Sequence, residues 1–151
     1  MTTLTNKDLL LKDLCARLPY GVVGQCEIDA SYDTPFDTIY QAHKFNAVVD
    51  GIIEDSLIVS PSIEDQDELE FANEEISDGV DILDFKPYLF PLSSMTKKQK
   101  DEYQYITERW MNDPAYSISD SIDWLNNNNF DYRGLIEKGL AIDATGLNIY
   151  C

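Results

Sequence analysis

Leu11, Leu14, Cys15 and Leu18 recur at helical spacing near the start of the chain, and Pro19 follows directly. Thr5 precedes this stripe with Asp8 three residues on, where a side chain can cap the first turn and a carboxylate meets the positive end of the helix dipole. The pattern predicts an amphipathic helix from about Asn6 to Leu18, with the leucine stripe packed into a core. After Pro19-Tyr20-Gly21 the apolar positions fall in short β-branched groups: Val22, Val23, Cys26 and Ile28; Thr38, Ile39, Tyr40 and Ala42; Val48, Val49, Ile52 and Ile53; Leu57, Ile58 and Val59. Asp, Gly, Asn, Ser and Pro separate them, so an antiparallel meander is expected. Asp50-Gly51 reads as a tight turn or a bulge, and Glu54-Asp55-Ser56 as a turn. A fifth strand is expected around Val80 to Leu89, with Pro87 bending it or placing it at an edge.

The stretch Glu64 to Glu75 is polar and acidic with little to bury, and is read as a solvated excursion with at most one helical turn. Beyond Pro91, Thr96 and Gln99 form a capping box for a second helix carrying Tyr103, Ile106 and Trp110 on one side and ended by Asn112-Asp113-Pro114. A third helix starts near Ser117 or Ser119, turns Ile118, Ile122 and Leu125 inward with Trp124 flanking, and stops at Asn126 to Asn129. One short further helix is expected before Gly139. The fold class is therefore α+β: a small antiparallel sheet of four or five strands, with a barrel-like curl as a variant, packed by one N-terminal helix and two or three C-terminal helices. Residues 1–151 are expected to form a single domain with an acidic excursion at about 62–79.

Composition narrows the function classes. The chain of 151 residues can bury a core without staples. It has 28 acidic and 11 basic side chains and a formal charge of −17, which repels nucleic acid phosphates and anionic lipid heads. Between Phe45 and Phe85 there are 13 acids and no Lys or Arg. Cys15, Cys26 and Cys151 show no CxxC spacing, which points to a reducing cytoplasm and away from a zinc site. The opening residues lack a secretory pattern, and the longest apolar run falls well short of the roughly 20 residues that span a bilayer. No membrane contact is expected.

His43 is the only histidine, so any Ser-His-Asp or Cys-His mechanism must use it, and Cys26 with His43 is the one cysteine dyad to consider. No nucleophile elbow surrounds either residue. An EF-hand loop begun at Asp65 would put Glu70 where glycine is required and Ile76 where the bidentate glutamate belongs, so that motif fails. The seven glycines form no phosphate-binding loop. No catalytic, cofactor or metal residues are assigned. The surface offered to a partner is Asp65, Asp67, Glu68, Glu70, Glu74 and Glu75. The aromatics of the C-terminal half, Tyr88, Phe90, Tyr103, Tyr105, Trp110, Tyr116, Trp124, Phe130 and Tyr132, are read as core.

The segments Lys86 to Thr96, Asp123-Trp124-Leu125-Asn126 and Asp131 to Ala141, with Leu11 to Val22 at the other end, resemble a family of small hypothetical proteins from gut Bacteroidetes and their prophages. The resemblance implies a bacterial or prophage source and carries over no functional residue. Arg133, a rare cation in an acidic tail, is expected in a structural salt bridge. The function class expected is a non-enzymatic binding or accessory protein whose partner is another protein, with no direct nucleic acid binding. The alternatives are an acidic nucleic-acid mimic that occupies a DNA-binding protein, and a hydrolase using His43 with Cys26 or a carboxylate.

Overall fold

The structure is a computed structural model that describes residues 5–33, 35–115 and 117–150, with side chains described outside 29–33 and 38–42. Among these residues it combines four α-helices with a seven-stranded mixed sheet that does not close. The strand order is β4-β3-β2-β1-β5-β6, with β7 on β5. These are β1 (Val23–Asp33), β2 (Thr38–Ile53), β3 (Ser56–Pro61), β4 (Val80–Asp81), β5 (Phe85–Pro91), β6 (Phe130–Asp131) and β7 (Ile142–Asp143). The mixed α and β character follows the sequence, but the barrel-like curl does not: the order runs from β4 to β6 with no pairing that joins its ends. The sheet also exceeds the four or five strands expected. The single strand expected over Val80 to Leu89 is two, β4 and β5, parted by the 3-10 turn Ile82–Asp84, and the further strands β6 and β7 are two residues each, too short for an alternating pattern to announce them. The pairing of β5 with β6 is parallel, whereas β1 with β2, β1 with β5, β2 with β3 and β3 with β4 are antiparallel.

Contacts divide the chain into two compact units, residues 1–88 and 89–151. In the first, α1 (Asn6–Arg17) opens with a capping box in which the Asp8 amide donates to Thr5 Oγ1 at 3.1 Å and the Thr5 amide to Asp8 Oδ2 at 3.3 Å. Its buried stripe is Leu10, Asp13, Leu14 and Arg17, one residue out of step with the stripe expected, and Cys15 is exposed. The displacement has a cause that apolar counting misses. Arg17 lies one helical turn beyond Asp13 and donates to both its carboxylate oxygens, at 2.8 and 3.2 Å, with 1% and 0% of the two side chains exposed. Paired this way, two charged residues enter the core alongside Leu10 and Leu14. The helix rests on the 3-10 turn Ile82–Asp84, where Ile82 is fully buried.

The strands β1 and β2 form a long hairpin in register from Val23 opposite Val48 to Asp33 opposite Thr38. The two apolar groups expected as separate strands between Thr38 and Ile53 are one continuous strand. The register shifts between Val49 and Gly51, so Asp50 forms the bulge, and its carboxylate accepts a hydrogen bond from Ser60 on β3. Gly24 on β1 is required by packing: a Cβ there would lie 2.2 Å from the Phe85 ring and 2.6 Å from the Lys86 carbonyl oxygen. Beyond Cys26, β1 leaves β5 behind and continues to Asp33 paired with β2, a ribbon of about 20 Å at the usual rise per residue.

In the second unit, the end of β5 takes β6 and β7 as neighbours, with Phe90 opposite Phe130 and the Ala144 amide donating to the Leu89 carbonyl at 2.8 Å. The helix α3 (Lys97–Asn112) carries the Thr96 and Gln99 capping box and packs against α4 (Ile118–Asn127), where Trp110 Nε1 donates to the buried Ser121 Oγ at 2.8 Å. Leu125 is buried as expected, but Ile118 is 60% exposed; Ser121 and Asn126 take the interior positions because each has a side-chain hydrogen-bond partner. Trp124 stacks on Phe130 with ring centroids 5.6 Å apart and meets Tyr103, while Tyr105 is exposed and Tyr116 lies outside the described residues. The short helix expected before Gly139 is a series of turns. Asp131 holds them: its carboxylate accepts from the amides of Arg133, Leu135 and Ile136 at 3.2, 3.0 and 2.9 Å, so those donors need no helix to be satisfied. Arg133 lies over the Tyr132 ring at 4.8 Å and donates to its hydroxyl oxygen at 3.2 Å.

Candidate functional site

The acidic segment is an α-helix, α2 (Gln66–Glu75), in place of the solvated excursion that its polarity suggests. Two features make it fold. Asp65 caps the first turn, its Oδ1 accepting from the Glu68 amide at 2.9 Å, and Asp67 and Glu68 sit at the positive end of the dipole. Ala72 and Ile76, four residues apart, are 2% and 8% exposed and anchor the inner side, which packs toward β3. Two buried residues and a half-buried Leu69 form too narrow a stripe for an apolar count to register over so many carboxylates.

Of the expected partner surface, Asp65 serves as the cap, and Asp67, Glu68, Glu70, Glu74 and Glu75 are exposed along the helix. Glu74 and Glu75 stand in the last turn, where the dipole favours cations, and that turn contains no basic residue. Phe71 is half-buried in the middle of the run. Its neighbours three and four residues away are Asp67, Glu68, Glu74 and Glu75, all acidic and all exposed.

A cleft of about 320 Å³ opens between α2 and the β1–β2 ribbon. Its walls are apolar: Ile28 and Phe45 from the ribbon, Ile63 from the segment after β3, and Phe71 and Ala72 from α2. Asp67 and Glu68 line it from α2; Lys44 of β2 also borders it, but alternates with His43 and Phe45 and so belongs to the other face of the strand. His43 closes one side, its ring 4.8 Å from the Phe71 ring and tilted by 50°. The structure thus brings His43, Asp67 and Glu68 to one cleft and leaves Glu70, Glu74 and Glu75 on the outer course of the same helix.

Cys26 and His43 are diagonal neighbours on one face of the hairpin, since Cys26 pairs with Phe45 and His43 with Ile28. Diagonal positions lie about 7–8 Å apart between backbones, against the roughly 3 Å of a proton-transfer contact. Cys26 is also fully buried, and burial, with the Asp84 carboxylate adding to it, pushes its thiol up to about 12. A thiol held protonated and away from solvent is a packing residue and a poor nucleophile.

The cleft residues Ile28, Ile63 and Phe71 escape sequence reasoning because each looks like an ordinary core position. The one mark that could have singled out Phe71 is its ring of acids at helical spacing. Among the described residues, no group of three or more His, Cys, Asp or Glu side chains is placed to hold a metal ion, and no helix is long and apolar enough to cross a membrane. Comparison with protein-family models, with curated proteins and with solved structures gives no match.

Proposed function

We propose that the chain is a non-enzymatic binding or accessory protein, of bacterial or prophage origin and acting in the cytoplasm, which presents α2 to a basic protein partner. The observation that carries this reading is the ordering of the acidic run on a helix whose last turn bears Glu74 and Glu75 without a compensating cation. Charge placed against a helix dipole costs about 0.3–1 kcal/mol per residue at low ionic strength and does nothing for the fold. A cationic surface would turn that cost into attraction and would steer association from a distance. Retention of the protein on immobilised poly-lysine, and on candidate basic proteins of its host, tests this. Replacing Glu70, Glu74 and Glu75 together by Gln is expected to lower the salt concentration needed for elution, with the melting temperature unchanged or raised. Elution unaffected by the triple replacement would end this reading.

A second reading, imitation of a nucleic acid backbone, is favoured by charge density. At 1.5 Å rise per residue α2 is about 15 Å long and carries, with its cap, six carboxylates, or about one per 2.5 Å. B-DNA carries one charge per about 1.7 Å of axis. Competition with a DNA duplex for a DNA-binding protein separates the two readings: a mimic displaces the duplex, whereas an accessory protein binds beside it.

A further inference from the structure

We infer that the cleft between α2 and the β1–β2 ribbon is a docking site for a linear segment of a partner protein in which an apolar side chain stands next to Arg or Lys. The inference rests on the reading of α2 as a surface for a basic protein, and it adds what that partner must carry besides charge.

The two halves of this requirement come from different sides of the cleft. Its interior, walled by Ile28, Phe45, Ile63 and Phe71, offers no charged group to a cation and gains free energy only by covering apolar surface. At about 320 Å³ it is large enough for one leucine- or phenylalanine-sized side chain with adjoining backbone. Its α2 rim carries Asp67 and Glu68, both exposed. A cation entering with the apolar group meets these carboxylates in front of the Phe71 ring, where cation–π attraction adds to the ion pairing. The bound segment is thereby oriented, with its basic residue toward the α2 carboxylates and its apolar residue in the interior. Glu74 and Glu75, one turn beyond Phe71, extend the attraction to a second basic residue.

Three fluorescein-labelled peptides test the site on the full chain: Gly-Lys-Arg-Leu-Arg-Lys-Gly, the same peptide with Leu replaced by Gly, and the same peptide with every basic residue replaced by Gln. Fluorescence anisotropy at 50 and 200 mM salt is expected to show the leucine peptide binding tightest, the glycine peptide about tenfold or more weaker, and the uncharged peptide weakest. Phe71→Ser and, on the ribbon side, Ile28→Gln are expected to erase the difference between the first two peptides while leaving their common salt dependence. Thermal melts of both variants establish that each is folded, and either one alone suffices. Equal binding of the leucine and glycine peptides to the wild type overturns the docking site but leaves α2 as a basic-protein surface. Failure of both basic peptides to bind, or binding without salt dependence, removes that underlying reading and the docking site with it.

Discussion

The helices α1 and α2 belong to the same unit and are similar in length, 12 and 10 residues, yet they handle charge in opposite ways. Along α1 Lys7, Asp8, Asp13 and Arg17 each have a structural use, and Lys12 is exposed. Asp8 completes the cap, Arg17 lies in the last turn and closes on Asp13 in the interior, and Lys7 meets Asp55 at 3.1 Å, its ammonium held above its ordinary range by that hydrogen bond. Along α2 only the first turn is arranged so; the acids of its last turn oppose the dipole. Charge that helps a helix fold and charge that burdens it are thus separated along the chain by three strands, and the burdened helix is the one that borders a cleft.

The largest effect is expected where charge is most deeply committed. Arg17→Met leaves the Asp13 carboxylate buried beside apolar groups, and loss of one partner of a buried pair costs about 3–5 kcal/mol. Urea denaturation followed by circular dichroism measures this. Asp13→Leu combined with Arg17→Met removes both charges and is expected to restore most of the loss, since apolar replacements of a whole pair are often neutral or better. If the double variant is as unstable as the single one, the pair acts through shape and not through compensation of charge, and the contrast with α2 loses one side.

The packed interior continues from α1 into the sheet. Gly24→Ala forces a methyl group to within 2.2 Å of the Phe85 ring, and the 2.6 Å approach to the Lys86 carbonyl blocks escape along the backbone. Overpacking of this kind costs about 1–3 kcal/mol, read as a lower urea midpoint at unchanged slope. Cys26 gives a smaller and pH-dependent effect. Its folded pKa of about 12 lies above the ordinary value of 9.0, so its contribution is present below pH 9 and is lost as pH rises toward 12. Between pH 9 and 10.5 the wild type is expected to lose about 1–2 kcal/mol more than Cys26→Ala does. The same burial predicts that Cys15 reacts quickly with a thiol reagent at pH 8 while Cys26 reacts only on unfolding.

What the sequence disclosed follows from how local each device is. The capping boxes of Thr5 with Asp8 and Thr96 with Gln99, and the stop of α4, where Asn129 takes a φ of 62°, are specified by residues close in sequence and could be placed in advance, whereas Asp50-Gly51 read equally as a turn or a bulge until its pairing with β3 decided it. The shifted stripe of α1 could not, because Asp13 and Arg17 count as polar until they are seen to pair. The helix α2 was hidden by its own carboxylates, and β6 and β7 by their length. The turns before Gly139 looked helical because the amides they leave over are satisfied by a side chain, Asp131, that no periodicity reports. The six acids of the candidate surface were legible as composition. The cleft beside them was not, since its walls come from a strand pair, a loop and a helix joined only by the fold.

The smallest effect bears most directly on the comparison. If the last turn of α2 is electrostatically unfavourable, Glu74→Lys and Glu75→Lys should each raise stability by about 0.3–1 kcal/mol at low salt, while Asp67→Lys in the first turn should lower it by a similar amount. Screening shortens to about 10 Å at 0.1 M salt, so both effects should shrink together as salt is added. The melting temperature of the wild type should rise over the same range, because its unbalanced acids repel one another less. A symmetrical response, in which lysine stabilises either end of α2 equally, would mean that net charge alone governs the helix. An asymmetric one, with retention on poly-lysine falling as stability rises at Glu74 and Glu75, would show the same side chains weakening the fold and serving recognition.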